Sequence, residues 1–121
     1  MEGLKITPEA QQVLMDLQAC QQQMQTVLIQ KESLNIQNLE IDKALDELKN
    51  VKNEDVFKAV GPILIKSEKA KLTKELEERK ETIDLRLKSL QKQENRLKER
   101  MDQGQEKLEE VLKGGEEKAA E

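Results

Sequence analysis

Between residues 10 and 48, apolar side chains recur at alternating intervals of three and four. The ladder is Ala10, Val13, Leu17, Cys20, Met24, Val27, Leu34, Ile41, Leu45 and Leu48, and only Lys31 and Asn38 break it. This is the seam pattern of a coiled coil, so this half of the chain has to be a long helix that buries one stripe against another helix. Thr7-Pro8-Glu9 supplies a helix start: a capping hydroxyl, a proline at the first helical position and an acid at the positive end of the dipole. Lys49, Asn50, Lys52 and Asn53 supply the end, so the first helix is expected over 8–49. A second row, Leu76, Ile83, Leu90 and Leu97, repeats every seven residues. Leu72, Leu87, Met101, Leu108 and Val111 widen it, and Arg79 and Arg86 interrupt it. A second helix is expected over 68–113, stopped by Gly114-Gly115, with a loose first stretch at 1–6 and a loose tail at 114–121.

Composition agrees. Ala, Glu, Lys, Leu and Arg make up 64 of the 121 residues, and Phe57 is the one aromatic side chain. Long helices use those five residues, and a compact globular core normally needs more aromatic volume. The whole chain, 1–121, is read as a single unit.

Residues 56–66 differ in kind. Val56–Val60 and Ile63–Lys66 are rich in β-branched residues and are separated by Gly61-Pro62, which predicts a β-hairpin. Its apolar residues fall on both faces, and a lone two-stranded hairpin is marginal in water with two open edges. The fold class is therefore mainly α: an antiparallel two-helix coiled coil with one β-hairpin between the helices, the hairpins joining subunits into an obligate oligomer with projecting helical arms. The residues expected to carry that assembly are Val56, Phe57, Ala59, Val60, Gly61, Ile63, Leu64 and Ile65. A hairpin folded back onto its own helices is the alternative. With Asn50 opposite residue 68, paired positions on the two helices should add to about 118, within a helical turn. Leu17 would then face Met101, Leu14 would face Gly104, and Asn38 would face Arg79 or Lys80.

Several functions are disfavoured. The sequence has no His and one Cys, so His/Cys zinc sites and His-dependent catalysis have no ligands or bases. No phosphate-binding glycine motif is present, and no cofactor is expected. A net charge of −4 and mixed charge along the chain argue against nucleic acid. No apolar run is long enough to span a membrane. MEGLKITPEA lacks the apolar region of a signal peptide, and an unpaired Cys20 suits a reducing compartment, so a cytoplasmic location is expected.

The chain resembles the prefoldin β class, of archaeal type. The resemblance covers nearly its whole length. It rests on the Gln-rich stretch 17–37 (LQACQQQMQTVLIQKESLNIQ), on ALDEL at 44–48, on LKSLQKQENRLKERM at 87–101 and most specifically on VFKAVGPILIK at 56–66. One hairpin rather than two points to the β class. The family implies a hexamer of two α and four β subunits, whose hairpins form a double β-barrel platform carrying six coiled-coil arms. It also implies an ATP-independent chaperone that holds unfolded proteins at the arm tips and passes them to a group II chaperonin. Nucleic acid and membrane are not expected partners.

On that reading the client-binding end combines Ile6, Val13, Leu14, Leu17, Met101, Leu108 and Val111. Met15, Met24 and Met101 would suit varied client shapes. Gly104 would leave Leu14 or Leu17 uncovered and let the tip fray. The plainer reading of these side chains is that they finish the coiled-coil seam, and both readings stand at this point. Lys31 and Asn38 would set the register, Cys20 would be a small seam residue, and the Glu/Lys clusters at 66–81 and 92–100 would be outer faces. The rival function is a structural coiled-coil scaffold or tether that holds no clients.

Overall fold

The computed structural model describes the backbone of residues 6–120 and the side chains of residues 6–114. The order of elements is α1 (Pro8–Asn50), β1 (Asp55–Val60), β2 (Ile63–Glu68) and α2 (Lys69–Ala120). This is the expected architecture of two long helices with one hairpin between them. Residues 1–5 of the expected loose start, and Glu121, lie outside the described residues.

Thr7 caps α1 as its sequence suggests. Its hydroxyl oxygen accepts from the Ala10 backbone N–H at 3.1 Å, and its carbonyl accepts from Gln11 N–H at 3.0 Å. The hydroxyl thus satisfies one otherwise orphaned N–H, and the carbonyl accepts the first regular bond of the helix. At the other end, Val51 N–H donates to Leu48 O at 3.3 Å as the helix closes.

α2 does not stop at Lys113 as expected but continues through Gly114 and Gly115 to Ala120. A glycine ends a helix when it adopts the left-handed conformation, and Gly114 does not have a positive φ. Its cost is then only the roughly 1 kcal/mol propensity penalty of an interior glycine, too small to break a helix by itself. The tail expected from 114 is helical to Ala120.

The chain divides into two compact units. One joins Met1–Gln30 with Leu90–Glu121, and the other is Lys31–Ser89. In the first, the apolar ladder resolves into two rows of unequal depth. Val13, Cys20 and Val27 are buried, with Ala10 above them, while Leu17 and Met24 are half-buried. Leu90 and Leu97 are the buried row of α2, and their seven-residue spacing continues through Gly104 and Val111. A Cβ built on Gly104 would lie 2.7 Å from Leu17 Cδ2, so Gly104 is the hole that admits the Leu17 side chain. It does not leave Leu17 uncovered.

In the second unit Ile41, Leu48 and Ile83 are buried, with Leu34, Leu45 and Leu76 half-buried beside them. The helices run antiparallel here: Asn38 donates to Asp84 at 2.8 Å, and one turn along α1 Asp42 pairs with Lys80. These pairs add to 122, and Leu17 with Gly104 adds to 121, so α2 is displaced by about one turn from the expected register. The cause is local. Lys69 donates its backbone N–H to Glu54 O at 2.8 Å and its Nζ to Val51 O at 2.9 Å, so the first turn of α2 packs beside the connecting loop and meets α1 later.

Arg79 and Arg86 do not interrupt the seam, because both are exposed. The second row of α2 runs Thr73, Lys80, Leu87, Glu94, Met101, Leu108, so its polar positions are Thr73 and Lys80, both half-buried, and Glu94, buried. Glu94 is therefore a correction to the outer-face reading of 92–100. It carries Lys98 one turn on at 3.5 Å.

Candidate assembly and client-binding surfaces

The hairpin register pairs Asp55 with Glu68, Phe57 with Lys66, Ala59 with Leu64 and Val60 with Ile63. Side chains alternate across a strand, and directly paired residues share a face. One face therefore carries Val56, Lys58, Val60, Ile63 and Ile65, and the other carries Phe57, Ala59, Leu64 and Lys66. The chain turns at Gly61, whose φ is +59°, and Pro62 follows with its ring-fixed φ. A positive φ at the first central residue is what a type II′ hairpin turn requires, and glycine reaches it without strain.

Of the eight hairpin residues predicted to drive assembly, only Val56 is buried. Lys58 meets Glu75 of α2 at 3.5 Å beside it. The other seven are exposed. The large ones stand well out: Phe57 63%, Val60 48%, Ile63 61%, Leu64 69% and Ile65 50%. Both faces thus leave large apolar side chains uncovered. The sheet has two strands, so among the described residues neither outer edge has a strand to pair with. The hairpin does not fold back to bury itself on its own helices.

The predicted client-binding residues separate by burial. Ile6 is exposed. Val13 is buried in the seam. Leu14, Leu17, Met101, Leu108 and Val111 are half-buried. A groove of about 220 Å³ runs beside Val13, Leu17, Cys20 and Gly104, flanked by Arg100 and Lys107. Leu112 and Met15 are exposed, Met15 more than Ile6, and neither belongs to the seam-based set. Met15 lies opposite the seven-residue rows of α1, whereas Leu112 flanks those of α2 beside Val111, and these positions are the signal that separates them from seam residues.

Polar groups in the second unit form a compact cluster. Asn38 sits in the seam row, its amide N–H₂ on Asp84, while its Oδ1 is buried without a hydrogen-bond partner. Lys80 is held by Asp42, with Asp84 and Asp46 nearby. The Asp42 hydrogen bond and the surrounding carboxylates raise the Lys80 pKa above its usual 10.5. Among the described residues no helix is long and apolar enough to cross a membrane.

A family model described as prefoldin subunit matches residues 11–115, both helices and the hairpin between them. The chain belongs to the prefoldin subunit family. It is 41% identical to the prefoldin subunit beta of Archaeoglobus fulgidus over 89% of this chain and 94% of the relative. Against the prefoldin subunit beta of Thermococcus onnurineus the figure is 37% over the same shares. The crystal structure of the prefoldin beta subunit from Thermococcus strain KS-1 superposes with a TM-score of 0.80 at 34% identity, covering 90% of this chain and 96% of that one. The β-class resemblance read from VFKAVGPILIK is borne out. Prefoldin membership carries a chaperone-type role in protein folding and a place in an oligomeric complex. Among the described residues the hairpin carries five exposed large apolar side chains within nine positions.

Proposed function

We propose that this chain is a β-type subunit of a hetero-hexamer of two α and four β subunits, in which hairpins from neighbouring subunits close into a β-barrel platform. The complex holds unfolded proteins without ATP, in the cytoplasm, and passes them to a group II chaperonin. The observation that supports assembly most directly is the hairpin with five large apolar side chains exposed on two faces. Full burial of such a side chain is worth about 1.5–3 kcal/mol, so covering the exposed half of five would contribute roughly 4–8 kcal/mol per subunit.

Clients bind at the end of the first unit, where the start of α1 meets the last turns of α2. Ile6 and Leu112 present apolar surface there, with Leu14, Leu108 and Val111 half-covered beside them. Any one such contact is weak after ordering costs, and several subunits acting on one client multiply the affinity.

The test uses the full chain assembled with its partner α subunit. Ile6→Ser with Leu112→Ser should weaken suppression of client aggregation several-fold without changing the mass of the assembly. Val13→Ser is the control that lowers the melting temperature instead, because Val13 is buried. A protein that suppresses aggregation of no unfolded client, yet binds one folded partner, would be the scaffold and would end this reading.

A further inference from the structure

α1 and α2 turn very different outer faces to solvent in the first unit. Opposite the seam, α1 presents the row Met15, Gln22 and Ile29. The rows on either side are Gln11, Gln18, Gln25 and Gln12, Ala19, Thr26. All nine are exposed and none is charged. At the ten equivalent positions of α2 between 92 and 113, eight are charged, and all ten are exposed. An exposed coiled-coil flank is usually charged, so α2 is ordinary and α1 is not. Every large apolar side chain exposed in the paired helices of this unit lies on α1 (Met15, Leu28, Ile29), apart from Leu112.

A groove of about 400 Å³ lies along this neutral side. Ala19, Gln22, Gln23, Thr26, Val27, Gln30 and Gln93 line it, and none of them is charged. The groove beside Gly104, by contrast, carries Asp16, Arg100 and Lys107. From Ala19 to Gln30 the helix rises ~16 Å, the length of about five residues of extended chain.

We infer that this groove is a binding site for an extended segment of unfolded polypeptide, whose backbone is hydrogen-bonded by the glutamine amides. An unfolded chain presents an unpaired N–H and C=O at almost every residue, and its side chains carry either sign of charge. A primary amide offers donors and an acceptor together, so a row of them pairs with peptide groups whatever the sequence. A charged flank such as that of α2 would repel segments of like sign; the uncharged flank of α1 treats acidic and basic segments alike. Met15 and Ile29 add isolated apolar footholds on the same side of α1. The inference rests on the reading that the complex holds unfolded proteins, and it places part of the contact along the flank of α1, away from the helix ends.

Two variants of the full chain, assembled with partner subunits, test it: Gln22→Glu with Gln30→Glu, and Gln22→Lys with Gln30→Lys. Glu and Lys are as good helix formers as Gln. The probes are two fluorescein-labelled, carboxymethylated unfolded polypeptides of equal length, one net acidic and one net basic, followed by anisotropy. The Glu pair should weaken the acidic probe by at least about threefold at low salt and spare the basic one, and the Lys pair should do the reverse. Both effects should vanish at roughly 0.5 M salt. If the parental protein binds both probes and neither pair alters any affinity, the groove is not the site, while the holding role stands. If the parental protein binds neither probe, the holding role itself fails. A change in assembly mass without probe would show that a second copy occupies the face, and would overturn the inference. Should a double variant melt early, Gln22→Glu alone carries the same comparison.

Discussion

Gly104 offers a sharp test of the helix pairing, because two effects of known size oppose each other there. Gly→Ala inside a helix normally stabilises by about 0.8–1.0 kcal/mol through backbone entropy. Here the new methyl would meet Leu17 Cδ2 at 2.7 Å and Cγ at 3.2 Å, closer than side-chain carbons approach. Leu17 is half-buried, so it can move, but only by leaving its hole. Forced repacking of that kind costs roughly 1–3 kcal/mol. Gly104→Ala should therefore be neutral or destabilising by up to about 2 kcal/mol, a combination of those two ranges.

The sign should reverse once Leu17 is gone. Leu17→Ala alone should cost about 1–2 kcal/mol, near the low end for a leucine that is only half-covered. In that background Gly104→Ala finds open space and should stabilise by about 0.8–1.0 kcal/mol. The double-mutant cycle thus predicts a coupling of roughly 1–3 kcal/mol between residues 87 positions apart in sequence. Urea unfolding of the four proteins, followed by circular dichroism at fixed concentration, reads it directly. If Gly104→Ala stabilises equally with and without Leu17, the contact does not exist, and the register with Leu14 opposite Gly104 is restored.

Two further outcomes follow from single residues. Gly61→Ala should destabilise the hairpin by about 1–2 kcal/mol, because a Cβ there meets nothing within 4 Å and the whole penalty is the positive φ; an unchanged urea midpoint of the assembled protein would contradict the type II′ turn. Lys80 has a folded-state pKa above its usual 10.5, so its pairing with Asp42 contributes fully below that value and is lost as pH rises through the raised one. The pair's contribution to the melting temperature should be full and independent of pH between about pH 7 and 9 and should be lost above about pH 10.5, a fall that Lys80→Met removes; because both side chains are partly exposed, salt should weaken the effect.

What the sequence made legible was local chemistry. Thr7-Pro8 announces the start of α1 because capping needs only adjacent residues. Gly61-Pro62 between two β-branched runs announces the hairpin for the same reason. The seven-residue rows located the seam, yet they left open which turn of α2 meets which turn of α1. That choice is made by Lys69, whose backbone and Nζ hydrogen bonds hold the first turn of α2 against the 51–54 loop. Nothing in a periodic pattern records those contacts. The same blindness made Arg79 and Arg86 look like interruptions: only after the register is known do Thr73, Lys80 and Glu94 emerge as the polar seam positions. Gly114 misled for a different reason. Glycine stops a helix through its φ, and a sequence gives the residue but not the angle.

The two kinds of exposed apolar surface call for different partners. Phe57, Val60, Ile63, Leu64 and Ile65 are crowded into nine residues and point to opposite faces of one ribbon. A single packed surface can cover one face at most, and it leaves the strand edges unpaired. Further strands would pair the edges and a layer on each side would bury the faces, so the ribbon suits the closed, lasting assembly proposed above. On the flank of α1 the apolar groups stand singly among amides. Each amide exposed there is already satisfied by water, and a bound peptide gains little by replacing it. Contacts of that kind form and dissolve easily. On the proposed function, a chain that must stay assembled and still release what it holds would need its concentrated hydrophobicity in the hairpin and its dilute hydrophobicity on the helices. Moving one more leucine onto the α1 flank, by Gln22→Leu, would join Met15 and Ile29 into a continuous stripe. It should tighten the hold on an unfolded client while slowing its release.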